Sequence, residues 1–78
     1  MPSCRQDATA AARKLLRTFA SAPEPRKRAR EIYLELAGAR DWSASERDEI
    51  QMFGDWLQSY PATDQLRLGC EKIIASLT

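Results

Sequence analysis

Apolar residues recur at helical spacing in four separate runs, and three breaks punctuate them: Ser21-Ala22-Pro23-Glu24-Pro25, Gly38 and Pro61. This pattern decides the fold class. Spacing of i, i+3, i+4 gathers side chains on one face of a helix, whereas alternation gathers them on one face of a strand. Strand-forming composition is thin, because the chain has no Val and its only isoleucines are Ile32, Ile50, Ile73 and Ile74. At 78 residues it supports one core and hence one domain, residues 1–78. No apolar stretch approaches the ~20 residues that a membrane-spanning helix needs.

The first run carries Ala8, Ala11, Ala12, Leu15, Leu16 and Phe19, with Arg13, Lys14 and Arg17 opposite. Asp7 is expected to cap it, and residues 1–6 to form a frayed lead-in. Pro25 restarts the chain in a second helix, where Ala29, Ile32, Tyr33, Leu36 and Ala37 form the cleanest stripe. Gly38 is expected to end that helix in a left-handed cap. Ser43-Ala44-Ser45-Glu46 spells a capping box for the third helix. Its stripe of Ile50, Phe53, Leu57 and Tyr60 is widened by Met52 and Trp56. After Pro61, Thr63 or Asp64 is expected to cap a fourth helix with Leu66, Cys70, Ile73 and Leu77 inward, Ile74 at the edge and Leu68 outside. Gly69 in mid-helix is unfavourable by about 1 kcal/mol against Ala, which a close approach of another helix would compensate.

Short connections between such runs favour a compact antiparallel bundle of four short helices, an all-α fold. The expected core is Leu15, Leu16, Phe19, Ile32, Tyr33, Leu36, Ile50, Phe53, Trp56, Leu57, Leu66, Cys70, Ile73 and Leu77. Each helix is too short to be stable alone, so the stripes must be buried together.

Chemistry is sparse. The chain has no His, the usual general acid or base and the commonest nitrogen ligand for metals. Gly38, Gly54 and Gly69 are isolated, so no phosphate-cradling loop is present. Ser and Cys nucleophiles lack a base at suggestive spacing. Glu46, Asp48 and Glu49 cluster where a helix start favours negative charge, and that reading outweighs a catalytic or calcium-binding one. No enzyme activity, cofactor or metal site is expected. Cys4 and Cys70 read as free thiols in a reducing cytoplasm, since no apolar signal-peptide core precedes them. The Ala/Ser-rich, basic stretch of residues 1–22 also fits a mitochondrial transit segment, but its removal would leave too little core.

Two binding readings remain. Residues 1–30 hold eight basic and two acidic side chains, a net +6, while residues 31–78 hold four basic and nine acidic, a net −5. Arg13, Lys14, Arg17, Arg26, Lys27, Arg28 and Arg30 could therefore line a basic hairpin that follows a nucleic-acid backbone. The later helices begin with acidic residues, which argues against a helix-turn-helix reader. The other reading, preferred here, is a protein partner. Leu34, Trp42, Met52 and Trp56, with Leu68 and Ile74, exceed what four stripes require and would form an aromatic and Met-rich interface. An adaptor, inhibitor or small regulator would act in this way, and the same edge could bury itself against a second copy of the chain.

Overall fold

The computed structural model describes residues 4–78, which form four α-helices and no strand: α1 (Arg5–Arg17), α2 (Pro25–Ala37), α3 (Ala44–Gln58) and α4 (Thr63–Leu77). A short 3₁₀ turn, Phe19–Ser21, lies between α1 and α2. The four-helix bundle expected from the stripes is the observed fold. α2 packs against each of the other three helices, and α1 and α3 both pack against α4. The radius of gyration of 11.5 Å equals the ~11.5 Å of a compact chain of this length, so the described residues form no extended arm.

The core differs from the expectation in how α1 joins it. Ala8 and Ala12, one turn apart, are completely buried, whereas Leu15 and Leu16 are only half-buried at the margin. Small side chains let α1 approach its neighbours closely, which puts the leucines at the rim of the contact. Ala29, Ile32 and Leu36 fill the α2 side, and Leu66, Cys70, Ile73, Ile74 and Leu77 the α4 side. Tyr33, Trp56 and Leu57 pack against this core while keeping some surface. Ile74, expected at an edge, is inside. Cys70 is fully buried, and burial together with Glu71 pushes its thiol up to about 12, so it stays a neutral apolar group.

The starts of α2 and α3 follow the sequence, and those of α1 and α4 depart from it. The capping box forms: the Ser43 hydroxyl accepts from the Glu46 N–H at 3.2 Å, and the Glu46 carboxylate accepts from the Ser43 N–H at 2.9 Å. Pro25 takes the first turn of α2, where its missing N–H is harmless. Asp7, by contrast, lies inside the first turn of α1, and Cys4 holds the cap position without a side-chain bond. The N–H of Arg5 instead donates to Asp41 Oδ1 at 2.6 Å, across 36 residues. Arg5 thus begins α1 rather than a frayed lead-in; residues 1–3 of that expected lead-in lie outside the described residues. α4 is capped by neither Thr63 nor Asp64, both of which lie within the helix, after Ala62.

Gly38 ends α2 with ordinary right-handed geometry, φ −74° and ψ −19°. No left-handed turn is needed, because the terminal carbonyls find other donors. Gly38 N–H bonds to Leu34 O, and Ala39 N–H to Leu36 O. Trp42 adds a third, donating its indole N–H to Leu36 O at 2.6 Å. The residue with left-handed backbone is Tyr60, at φ 57°, just past the end of α3.

Arg5, Asp41, Trp42 and Glu46 make one polar fastening between the start of α1 and the α2–α3 connection. The Arg5 guanidinium lies 5.3 Å from the centre of the Trp42 ring, and its Nη2 reaches Glu46 Oε2 at 2.5 Å. Glu46 is held below its ordinary pKa of 4.5, first by the Ser43 N–H, then by the Ser43 hydroxyl and Arg5, with partial burial opposing them. A carboxyl with a lowered folded pKa stabilises fully above its unfolded value and loses that contribution as pH falls through the folded one. Acidification below 4.5 is therefore expected to release this fastening. Glu46→Gln keeps an acceptor for the Ser43 N–H but carries no proton to gain. Thermal melts across the acid range should show a weaker pH dependence for the variant than for the parent; equal dependence would exclude Glu46 as a contributor.

Candidate functional site

The aromatic and Met-rich residues singled out in the sequence do not form one patch. Trp42 is only 4% exposed. Its ring is buried, its N–H is committed to Leu36 and its face to Arg5, so it serves the fold and presents almost no surface of its own. Ile74 is likewise buried. Trp42 sits in a connector with no helical period to assign its side, whereas Ile74, four residues after Cys70 and three before Leu77, shares the spacing of the buried α4 stripe. The others stay at the surface: Leu34 is 55%, Met52 70% and Leu68 46% exposed, and Trp56 is half-buried.

α3 divides these residues between two grooves. The first, an open groove of about 440 Å³, runs between α3 and α4, with Met52, Trp56, Leu68 and Ile73 among its walls. Its shape comes from a glycine. The tip of the Trp56 ring lies over Gly69, where an added Cβ would fall 2.5 Å from two ring carbons. Gly69 therefore gives the close helix approach that its place in mid-helix implied, and the bare backbone makes room for an indole. Trp56 also stacks on Phe53, with ring centres 5.9 Å apart and planes at 25°. Glu49 accepts from the Ser76 hydroxyl at 2.6 Å across the same groove. Lys72 adds a positive charge to its lining.

The second groove, of about 320 Å³, lies on the other flank of α3 and is lined by Arg26, Arg30, Tyr33, Leu34, Leu57 and Tyr60 over Leu66. Gly54 is its counterpart of Gly69, with the Tyr33 ring seated against the backbone. Tyr60, 77% exposed, is the residue that sequence reasoning assigned to an inward stripe. The Tyr-Pro step was the available signal, because proline restricts the preceding residue and takes it out of the helix.

The basic residues also divide. Arg13, Lys14, Arg17, Arg26, Lys27 and Arg30 are exposed. Arg28 is half-buried and turned inward: its Nη1 donates to Leu15 O at 2.9 Å and to the Thr18 hydroxyl at 2.5 Å. Its Nε has no hydrogen-bond partner and faces Glu31 at 3.4 Å, an ion pair without hydrogen-bond alignment. Arg28 thereby ties α2 to the open carbonyl end of α1, and it is not part of a free basic surface. Lys14 and Arg17 lie in the last turn of α1, where positive charge suits the helix dipole.

Among the described residues, no three Cys, Asp or Glu side chains come together as metal ligands. No described helix is long and apolar enough to cross a membrane. Both cysteines are free thiols, Cys4 half-buried and Cys70 buried. No family model matches the chain, and comparison with curated proteins and with solved structures finds no match.

Proposed function

We propose that this chain is a non-catalytic helical binding domain that acts in the cytoplasm by occupying the surface of a protein partner, as an adaptor, inhibitor or small regulator. The observation that carries this reading is the α3–α4 groove, where Met52 and Leu68 expose apolar surface on either side of the Trp56 ring. Large apolar and Met side chains around an aromatic floor are the composition of interface centres, and Met adapts to varied partner shapes. No side chain needed for the fold's own packing would be displaced by a partner seated there, since Met52 and Leu68 lie outside the core.

The nucleic-acid reading is weaker than the sequence made it. Arg28 is committed to α1, and Lys14 and Arg17 answer a helix end. Arg26 rests on the Tyr60 ring, and Arg13, Lys27 and Arg30 are left as the exposed cations without such a role.

Capture of partners by the tagged full chain from its native host separates the two. The protein reading expects a partner that survives nuclease and moderate salt, and is lost from Leu68→Asp, an exposed substitution that leaves the fold intact by circular dichroism. A bound fraction that disappears with nuclease, or with Arg13→Glu and Lys27→Glu but not with Leu68→Asp, would favour nucleic acid.

A further inference from the structure

We propose that the second groove, between α2, α3 and the α3–α4 connection, is a separate docking site for an acidic peptide segment carrying a large apolar side chain. Arg26, Arg30 and Leu34 follow one another at i, i+4 and i+8 along α2, and all three line the groove. None of its lining residues is acidic. Like charges one turn apart disfavour a helix, and among the described residues neither arginine has a carboxylate partner. Arg26 rests instead on the Tyr60 ring, 5.0 Å from its centre. Arg30 is exposed, with its guanidinium fork open to a carboxylate, which it can bind through two parallel hydrogen bonds.

Tyr60 is the second side chain that shapes the groove, and its left-handed backbone ends α3. Here the backbone places an exposed ring in the groove lining, with the Arg26 guanidinium over it. The floor is aliphatic, formed by Leu57 and the buried Leu66. Two guanidinium groups above such a floor suit a ligand with a carboxylate next to a large apolar side chain. A polynucleotide fits less well. One face of Tyr60, the ring on which a base would stack, is covered by Arg26.

Panning the immobilised full chain against a random dodecapeptide library tests this site. Enriched peptides are expected to combine Asp or Glu with Leu, Phe or Trp, and to bind more weakly as salt rises. A synthetic enriched peptide should lose at least tenfold in affinity with Arg30→Ala and with Leu34→Ala, and keep it with Arg13→Ala. Tyr60→Gly relieves the backbone, so it should hold or raise thermal stability while weakening the peptide. The proposal is overturned by no enrichment, by enriched peptides without acids, or by affinity indifferent to Arg30→Ala and Leu34→Ala. It is also overturned if a mixed-sequence single-stranded DNA competes more strongly than the peptide. Binding that responds to Leu68→Asp alone would place the peptide in the α3–α4 groove, supporting the proposed function and rejecting this site.

Discussion

Trp42→Ala is expected to destabilise the bundle by ~3–5 kcal/mol, the range for removing a large aromatic side chain from a core. A chain of this length has ~4–12 kcal/mol of total stability, so this one change consumes much of it. Three contacts are lost together: the buried ring, the N–H donated to the end of α2, and the surface on which Arg5 rests. The α1 start and the α2–α3 connection are joined through this point, so the loss spreads beyond one helix. Trp42→Phe keeps most of the buried area and forfeits the hydrogen bond, with an expected loss of about 1–2 kcal/mol. Urea unfolding followed by far-UV circular dichroism measures both. A loss under about 1 kcal/mol for Trp42→Ala would contradict the burial described for this ring.

Gly54→Leu is expected to cost about 1–3 kcal/mol, the range for adding side-chain atoms where a neighbour already sits. On an exposed helix face, replacing Gly with a better helix former would gain about 1 kcal/mol. Gly54 is buried, however, and an added Cβ would meet Tyr33 Cε1 at 2.6 Å and Cζ at 2.8 Å. The ring would have to leave its seat between α2 and α3, where it lies 6.3 Å from the Phe53 ring centre. The collision is specific, so Tyr33→Ala should relieve part of it. The double variant is then less destabilised than the two single losses added, which a double-mutant cycle in urea detects. Simple addition would mean that Gly54 matters for another reason. Gly69→Ala sets an added Cβ 2.5 Å from the Trp56 ring tip, so Trp fluorescence should report the displaced ring.

Particular residues show what the sequence made legible. Pro25 at a helix start and the Ser43–Glu46 capping box are short-range features, and each lies where its spacing placed it; the stripes located the four helices, although Leu15, Leu16 and Tyr60 do not end up inside. Asp41 holding the N–H of Arg5 was not legible, because a cap supplied from 36 residues away leaves no local pattern. Gly38 illustrates the same limit from the other side. A Gly at a helix end suggests a left-handed turn, yet a Trp side chain and neighbouring N–H groups satisfied the carbonyls without one. Leu15 and Leu16 gave way to Ala8 and Ala12 because helix proximity, not hydrophobicity alone, decides what is buried. At the surface, Leu34, Met52 and Trp56 were found by their excess over the stripes. Their separation into two grooves follows from α3 standing between them, a relation that only packing reveals.

The proposed protein partner seats across the α3–α4 groove, while Trp42 and Arg28 serve the fold. Site-specific photo-crosslinking in the native host tests it most directly, with the crosslinker placed singly at Met52, Leu68, Arg13 and Lys27. The same protein adduct is expected from Met52 and Leu68 and not from Arg13 or Lys27. Adducts confined to Arg13 and Lys27, or adducts to nucleic acid, would contradict it.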